Sequence, residues 1–167
     1  MNRQGKTTAI TGLLILIAVL TSCAPTNQGS ETTMDLQTAK GIAMALEDET
    51  AALVPSENVG DQSQLQMTYL LGCANDTLAW PGRTTVTLVG DVDAEAMIDV
   101  IASAWEQKDG VVVERRKTRQ GAPRVDMTGV QGDFYSASIW APGTELQITS
   151  FSPCFELEGG TKPGMKY

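Results

Sequence analysis

Asp93-Ala94-Glu95-Ala96-Met97-Ile98-Asp99-Val100-Ile101-Ala102-Ser103-Ala104-Trp105-Glu106-Gln107-Lys108 is the most legible stretch of the sequence. Ala94, Met97, Ile98, Ile101, Ala102 and Trp105 recur at helical spacing and make one apolar stripe. Asp93 is placed to cap the first turn, and Asp109-Gly110 to stop the last. After this helix the periodicity changes to alternation, which predicts strands at 111–117, 124–128, 134–141 and 145–151. Pro142-Gly143 gives the last two a tight turn, and residues 129–132 space the middle pair.

Working back from Asp93, residues 84–89 are β-branched and alternate, with Val86 and Leu88 expected inward. Residues 64–73 begin with alternation and predict the first strand, and 74–82 read as a linking loop with turns at Asn75-Asp76 and Trp80-Pro81-Gly82. Over 34–54, Leu36, Ala39, Ile42, Ala43, Leu46 and Leu53 follow the helical period. Thr32 or Thr33 is positioned to cap this helix, Asp35 falls in its first turn, and Pro55 stops it. Two amphipathic helices and a run of consecutive strands joined by short turns predict an α+β two-layer sandwich. Its antiparallel sheet has about five to six strands, with both helices on one face.

The first 22 residues have another layout. A basic start with Arg3 and Lys6 precedes the apolar run 13–20 and a small-residue exit, which is the pattern of a secretory signal peptide. The apolar stretch, about twelve residues from Ala9 to Leu20, falls short of the roughly 20 that span a bilayer. Leu20-Thr21-Ser22-Cys23 resembles the bacterial lipobox, in which the cysteine thiol receives a diacylglyceryl group. Two acyl chains hold a protein durably where one would not. The alternative is an ordinary leader with a chance cysteine at its end. The expected domains are therefore a signal peptide at 1–22, a lipidated N-terminus and polar tether at 23–33, one α+β domain at 34–158 and a flexible tail at 159–167. Export to the outer face of the cell membrane follows from the same reading.

Three cysteines in an exported chain leave one unpaired, and Cys23 accounts for it. Cys73 and Cys154 are then expected to form a disulfide that closes about 80 residues, worth roughly 4 to 5 kcal/mol on the chain-entropy model. A redox-active or metal-binding pair would need closer spacing or further ligands.

Charge and composition narrow the function. Two of the 12 basic residues lie in the leader, which leaves ten against 20 acidic ones, so nucleic acid is not an expected partner. The chain has no histidine, which removes Ser-His-Asp and Cys-His nucleophile systems and the common zinc hydrolase motifs. No cofactor, metal site or catalytic residue is expected. Six of the basic residues, Lys108, Arg115, Arg116, Lys117, Arg119 and Arg124, lie within 17 positions. They are either a basic edge for an anionic surface, with Arg115, Arg116, Lys117 and Arg119 as the contacts, or a solvated hairpin whose charges deter pairing. Trp80, in its loop, is the tryptophan expected to be exposed. Glu47-Asp48-Glu49 fan around a helix and make a poor acid/base dyad.

The lipobox at Cys23, Leu71-Gly72-Cys73 after the first strand, the Asp-led helix running into Gly110-Val111-Val112-Val113, and the late Ser152-Pro153-Cys154 combine in an order that resembles small actinobacterial lipoproteins, LppA-like proteins among them. The resemblance implies an envelope domain held to the membrane by its lipid. It carries over no activity and no catalytic residue. The expected function is a non-enzymatic domain that binds an envelope component or small ligand; the alternatives are a carrier with an apolar cavity and an enzyme using carboxylates or lysine.

Overall fold

A computed structural model describes residues 34–140 and 143–167. Its elements run α1 (Leu36–Ala51), β1 (Val59–Gln64), β2 (Leu71–Gly72), β3 (Leu78–Ala79), β4 (Pro81–Leu88), α2 (Ala94–Trp105), β5 (Val112–Lys117), β6 (Pro123–Thr128), β7 (Phe134–Trp140) and β8 (Glu145–Phe151). The signal peptide, Cys23, the tether, Thr32, Thr33 and Pro142 lie outside the described residues.

Six strands form one antiparallel sheet in the order β1-β4-β8-β7-β6-β5, and β2 and β3 form a separate ribbon. The fold is α+β, as the alternation predicts. Burial alternates along β4 and β8, which puts Val86, Leu88, Leu146 and Ile148 on the face the helices cover. α1 packs on β4 and β8, and α2 on β5, β6 and β7. Trp105, Tyr135, Ile101, Met127, Leu146 and Ile148 are completely buried between the layers. The Trp105 and Tyr135 rings lie 5.1 Å apart, and Trp105 Nε1 donates to Thr50 Oγ1 at 3.0 Å, tying the two helices together.

α2 is capped as its sequence predicts, with Ala96 N donating to Asp93 Oδ1 at 3.0 Å. α1 differs from expectation at both ends. Its cap is Asp35, whose Oδ1 accepts from Thr38 N at 2.7 Å. The helix stops at Ala51 because Leu53 N and Val54 N turn back to Thr50 O and Ala51 O, tightening the chain ahead of Pro55. Its buried face is Ala39, Ala43, Glu47, Thr50 and Ala51, while Ile42 and Leu46 are only half-buried. Small residues let this helix approach the sheet closely.

The first strand is also displaced. The sequence predicts it at 64–73, but β1 occupies Val59–Gln64 and pairs only with β4. As an edge strand, β1 meets α1 through polar side chains, Gln62 Nε2 donating to Asp48 Oδ1 and Gln64 Nε2 to Met44 O, and of its residues only Val59 packs on the core. Its sequence Val-Gly-Asp-Gln-Ser-Gln is accordingly polar. The expected loop at 74–82 contains β3 and the start of β4. Between β2 and β3, Asn75 and Asp76 both take positive φ, as a primed hairpin turn requires.

Cys73 and Cys154 form a disulfide. It ties the β2–β3 ribbon to the chain leaving β8, where Leu78 and Phe155 exchange two backbone hydrogen bonds of 2.9 and 2.8 Å. The first and last sheet strands have β4 alone between them. Residues 159–167, expected as a tail, end in a pairing: Tyr167 and Thr68 exchange backbone bonds of 2.8 and 3.0 Å.

Candidate functional site

The chemically most unusual side chain is Glu47, completely buried on the sheet-facing side of α1. Its Oε1 accepts from Ser150 Oγ of β8 at 2.5 Å, and its Oε2 accepts from Thr84 Oγ1 of β4 at 2.8 Å and from Gln64 Nε2 of β1 at 3.2 Å. One carboxylate thus ties three adjacent strands to the helix. Loss of solvation pushes its pKa above the ordinary glutamate value of 4.5, against the opposing pull of Ser150, Thr84 and Gln64. Its three donors are neutral hydroxyl and amide groups. Gly82 makes the room: a Cβ there would collide with Glu47 Oε1, Ser150 Oγ and the Trp80 ring.

Reading Glu47, Asp48 and Glu49 as carboxylates that fan around a helix does not single out Glu47. The signal was the four-residue spacing of Ala39, Ala43 and Glu47, which puts the carboxylate on the buried stripe.

Trp80 reverses its expectation as well. It is completely buried, in a small core with Ala39, Ala43 and Phe155. Its Nε1 donates to Tyr167 O at 3.3 Å, and its backbone N donates to Ser152 Oγ at 2.9 Å. Met34, Leu36 and Leu70 pack against the same core.

The basic cluster of the sequence is divided by the fold. Arg115 turns toward α2 and pairs with Asp99 at 3.0 Å and with Glu106. Arg116 pairs with Glu114 at 2.5 Å and Asp126 at 3.3 Å, and Arg124 also pairs with Asp126. Lys117 meets Glu95 at 2.7 Å. Lys108 meets Glu49 at 2.6 Å, with its ammonium 5.3 Å from the Trp105 ring centre. Arg119 is exposed. Each of the other five cations of the cluster has a carboxylate partner, which lowers the net charge this edge offers an anionic surface.

An open groove of about 220 Å³ lies where the chain after α1 meets the start of α2, floored by Leu53, Val92, Met97 and Val100 and rimmed by Asn58 and Asp91. Among the described residues, no group of three or more His, Cys, Asp or Glu side chains is placed to hold a metal ion. No described helix is long and apolar enough to cross a membrane.

Compared with protein-family models, curated proteins and solved structures, the chain matches none.

Proposed function

We propose that the protein is exported and held at the outer face of the cell membrane by lipid on Cys23, and that its folded domain is a non-enzymatic binding module for the cell envelope. The observation that carries this reading is the Cys73–Cys154 disulfide. It pairs both cysteines of the folded domain, and the third cysteine of the chain sits at the end of an apolar leader, in Leu20-Thr21-Ser22-Cys23. A disulfide that closes most of the domain also suits an oxidising compartment.

The filled space between helices and sheet supports a module that works through its surface over a carrier that encloses a lipid, since large side chains occupy the space a cavity would need. Mass spectrometry of the N-terminal peptide from the native host tests the anchor. The expected result is a chain that starts at Cys23 with a diacylglyceryl mass on the sulfur; a chain intact from Met1 with an unmodified thiol would refute the proposal. Lipid extraction of the purified protein tests the carrier alternative, with stoichiometric bound lipid as the result that would revive it.

A further inference from the structure

Residues 65–71 follow β1 as an extended segment whose alternate side chains stay in solvent. Leu65, Met67, Tyr69 and Leu71 are 41, 61, 54 and 46% exposed. Leu70, between the last two, turns inward onto the Trp80 core. Other large apolar side chains are exposed elsewhere, Val112 and Val130 among them, but four repeated at alternate positions along one short segment mark a contact surface. Backbone bonds fix the segment at two points, from Leu65 N to Arg83 O at 2.8 Å and in the mutual pairing of Thr68 with Tyr167. The stripe is thus held in shape by the fold. At the same end of the sheet Phe151, 38% exposed, stands beside Phe134 with ring centres 6.1 Å apart.

What covers this surface follows from where it lies. Met34 and Leu36 pack on the same small core as Leu70, so the chain arriving from residue 33 joins the domain beside the stripe. Ten residues lie between Cys23 and Met34, so the two are at most about 40 Å apart. Lipid on Cys23 would therefore hold this end of the domain within reach of the bilayer, at an effective concentration where weak affinity suffices. The composition suits the headgroup boundary. Tyr69 is an aromatic with a polar tip, and Lys166 carries its ammonium 5.5 Å from the Tyr69 ring centre. Leucine and methionine supply the apolar area. Asp35, Glu156 and Glu158 gather around Leu36 and Leu157, so apolar insertion, not attraction to anionic headgroups, has to hold the contact.

We propose that the 65–71 stripe is a membrane-docking surface, seating the domain on the lipid bilayer through Leu65, Met67, Tyr69 and Leu71. The proposal rests on the lipid-anchor reading.

Hydrogen exchange on the full lipidated protein in vesicles of phosphatidylethanolamine and phosphatidylglycerol tests it, with the same protein cut free within 24–33 as reference. The expected result is that amides of 65–72 exchange about fivefold or more slowly on vesicles, with no change at 112–117. Tyr69→Asp should abolish the slowing and leave the melting temperature unchanged. No difference at 65–72 would overturn the proposal. So would slowing in the released protein that grows with its own concentration, which would assign the stripe to a contact between copies. If mass spectrometry finds no acyl group on Cys23, the anchor reading fails separately. Unacylated protein with excess vesicles then decides the docking by the same amides: slowing supports it and none overturns it.

Discussion

The two edges of the sheet are built on opposite principles. β5 presents Glu114, Arg115, Arg116 and Lys117, each engaged in ion pairs. Such charges keep a strand edge from pairing with another chain. β1 and its continuation carry one charged residue, Asp61, from Val59 to Leu71, and expose four large apolar side chains at alternate positions. The β5 edge is closed to partners by solvated charge. The β1 edge is guarded over 59–64 by polar side chains, the charge of Asp61 and a register shift between Val59 and Asp61, and over 65–71 it is adhesive. The cations noticed first in the sequence thus lie on the guarded edge, and the surface best suited to contact is apolar.

The comparison breaks hardest where covalent chemistry holds the β1 side. Cys73→Ser removes the bond that fastens the ribbon after 65–71 to the exit of β8, and should cost about 4 kcal/mol, or roughly 15 °C in melting temperature. Cys154→Ser should match it in a thermal melt, as partners in one bond must.

Next in size is the buried carboxylate. Glu47→Ala leaves a cavity and three donors unpaired at the junction of β1, β4 and β8, for a loss of about 3 kcal/mol in chemical denaturation. Gly82→Ala should cost about 2 kcal/mol by forcing a methyl group into the same node. Glu47→Gln keeps the volume and removes the charge. Because burial raises the pKa of Glu47 above 4.5, the folded state binds more protons than the unfolded chain between that value and the raised one. Stability in the wild type should therefore fall as pH rises through this window and level off above it. Glu47→Gln should flatten this slope in urea titrations run at successive pH values.

The smallest effect is expected on the guarded edge. Arg115→Ala leaves Asp99 and Glu106 in water and should move the melting temperature by about 2 °C or less. A large loss there would mean that the ion pairs do more than keep the edge apart.

Legibility in the sequence follows the same division. α2, β6 and β8 were readable because each has one face on the core, so burial imposes its period on the residues. β1 was not, because an edge strand that meets α1 through Gln62 and Gln64 has no apolar alternation to display. Its apolar continuation was read as the strand, although its odd-numbered side chains face water. Glu47 and Trp80 were missed for another reason: their burial depends on partners far away in sequence, Ser150 and Gly82 for one, Ala39 and Phe155 for the other. Cys73 and Cys154 were legible as a pair because three thiols and one leader leave few assignments.

The strand order also dictates when the domain can assemble. β4 lies between β1 and β8, and β8 also borders β7, so the middle of the sheet waits for the last strand of the chain. Until Leu146 and Ile148 arrive, Val86 and Leu88 have no neighbour on one side, and α1 has only half its floor. A polypeptide emerging from its N-terminal end would therefore stay open until almost all of it is out, and such non-local closure is intrinsically slow. Were the chain exported as proposed, slow closure would keep it threadable until its last strand had crossed.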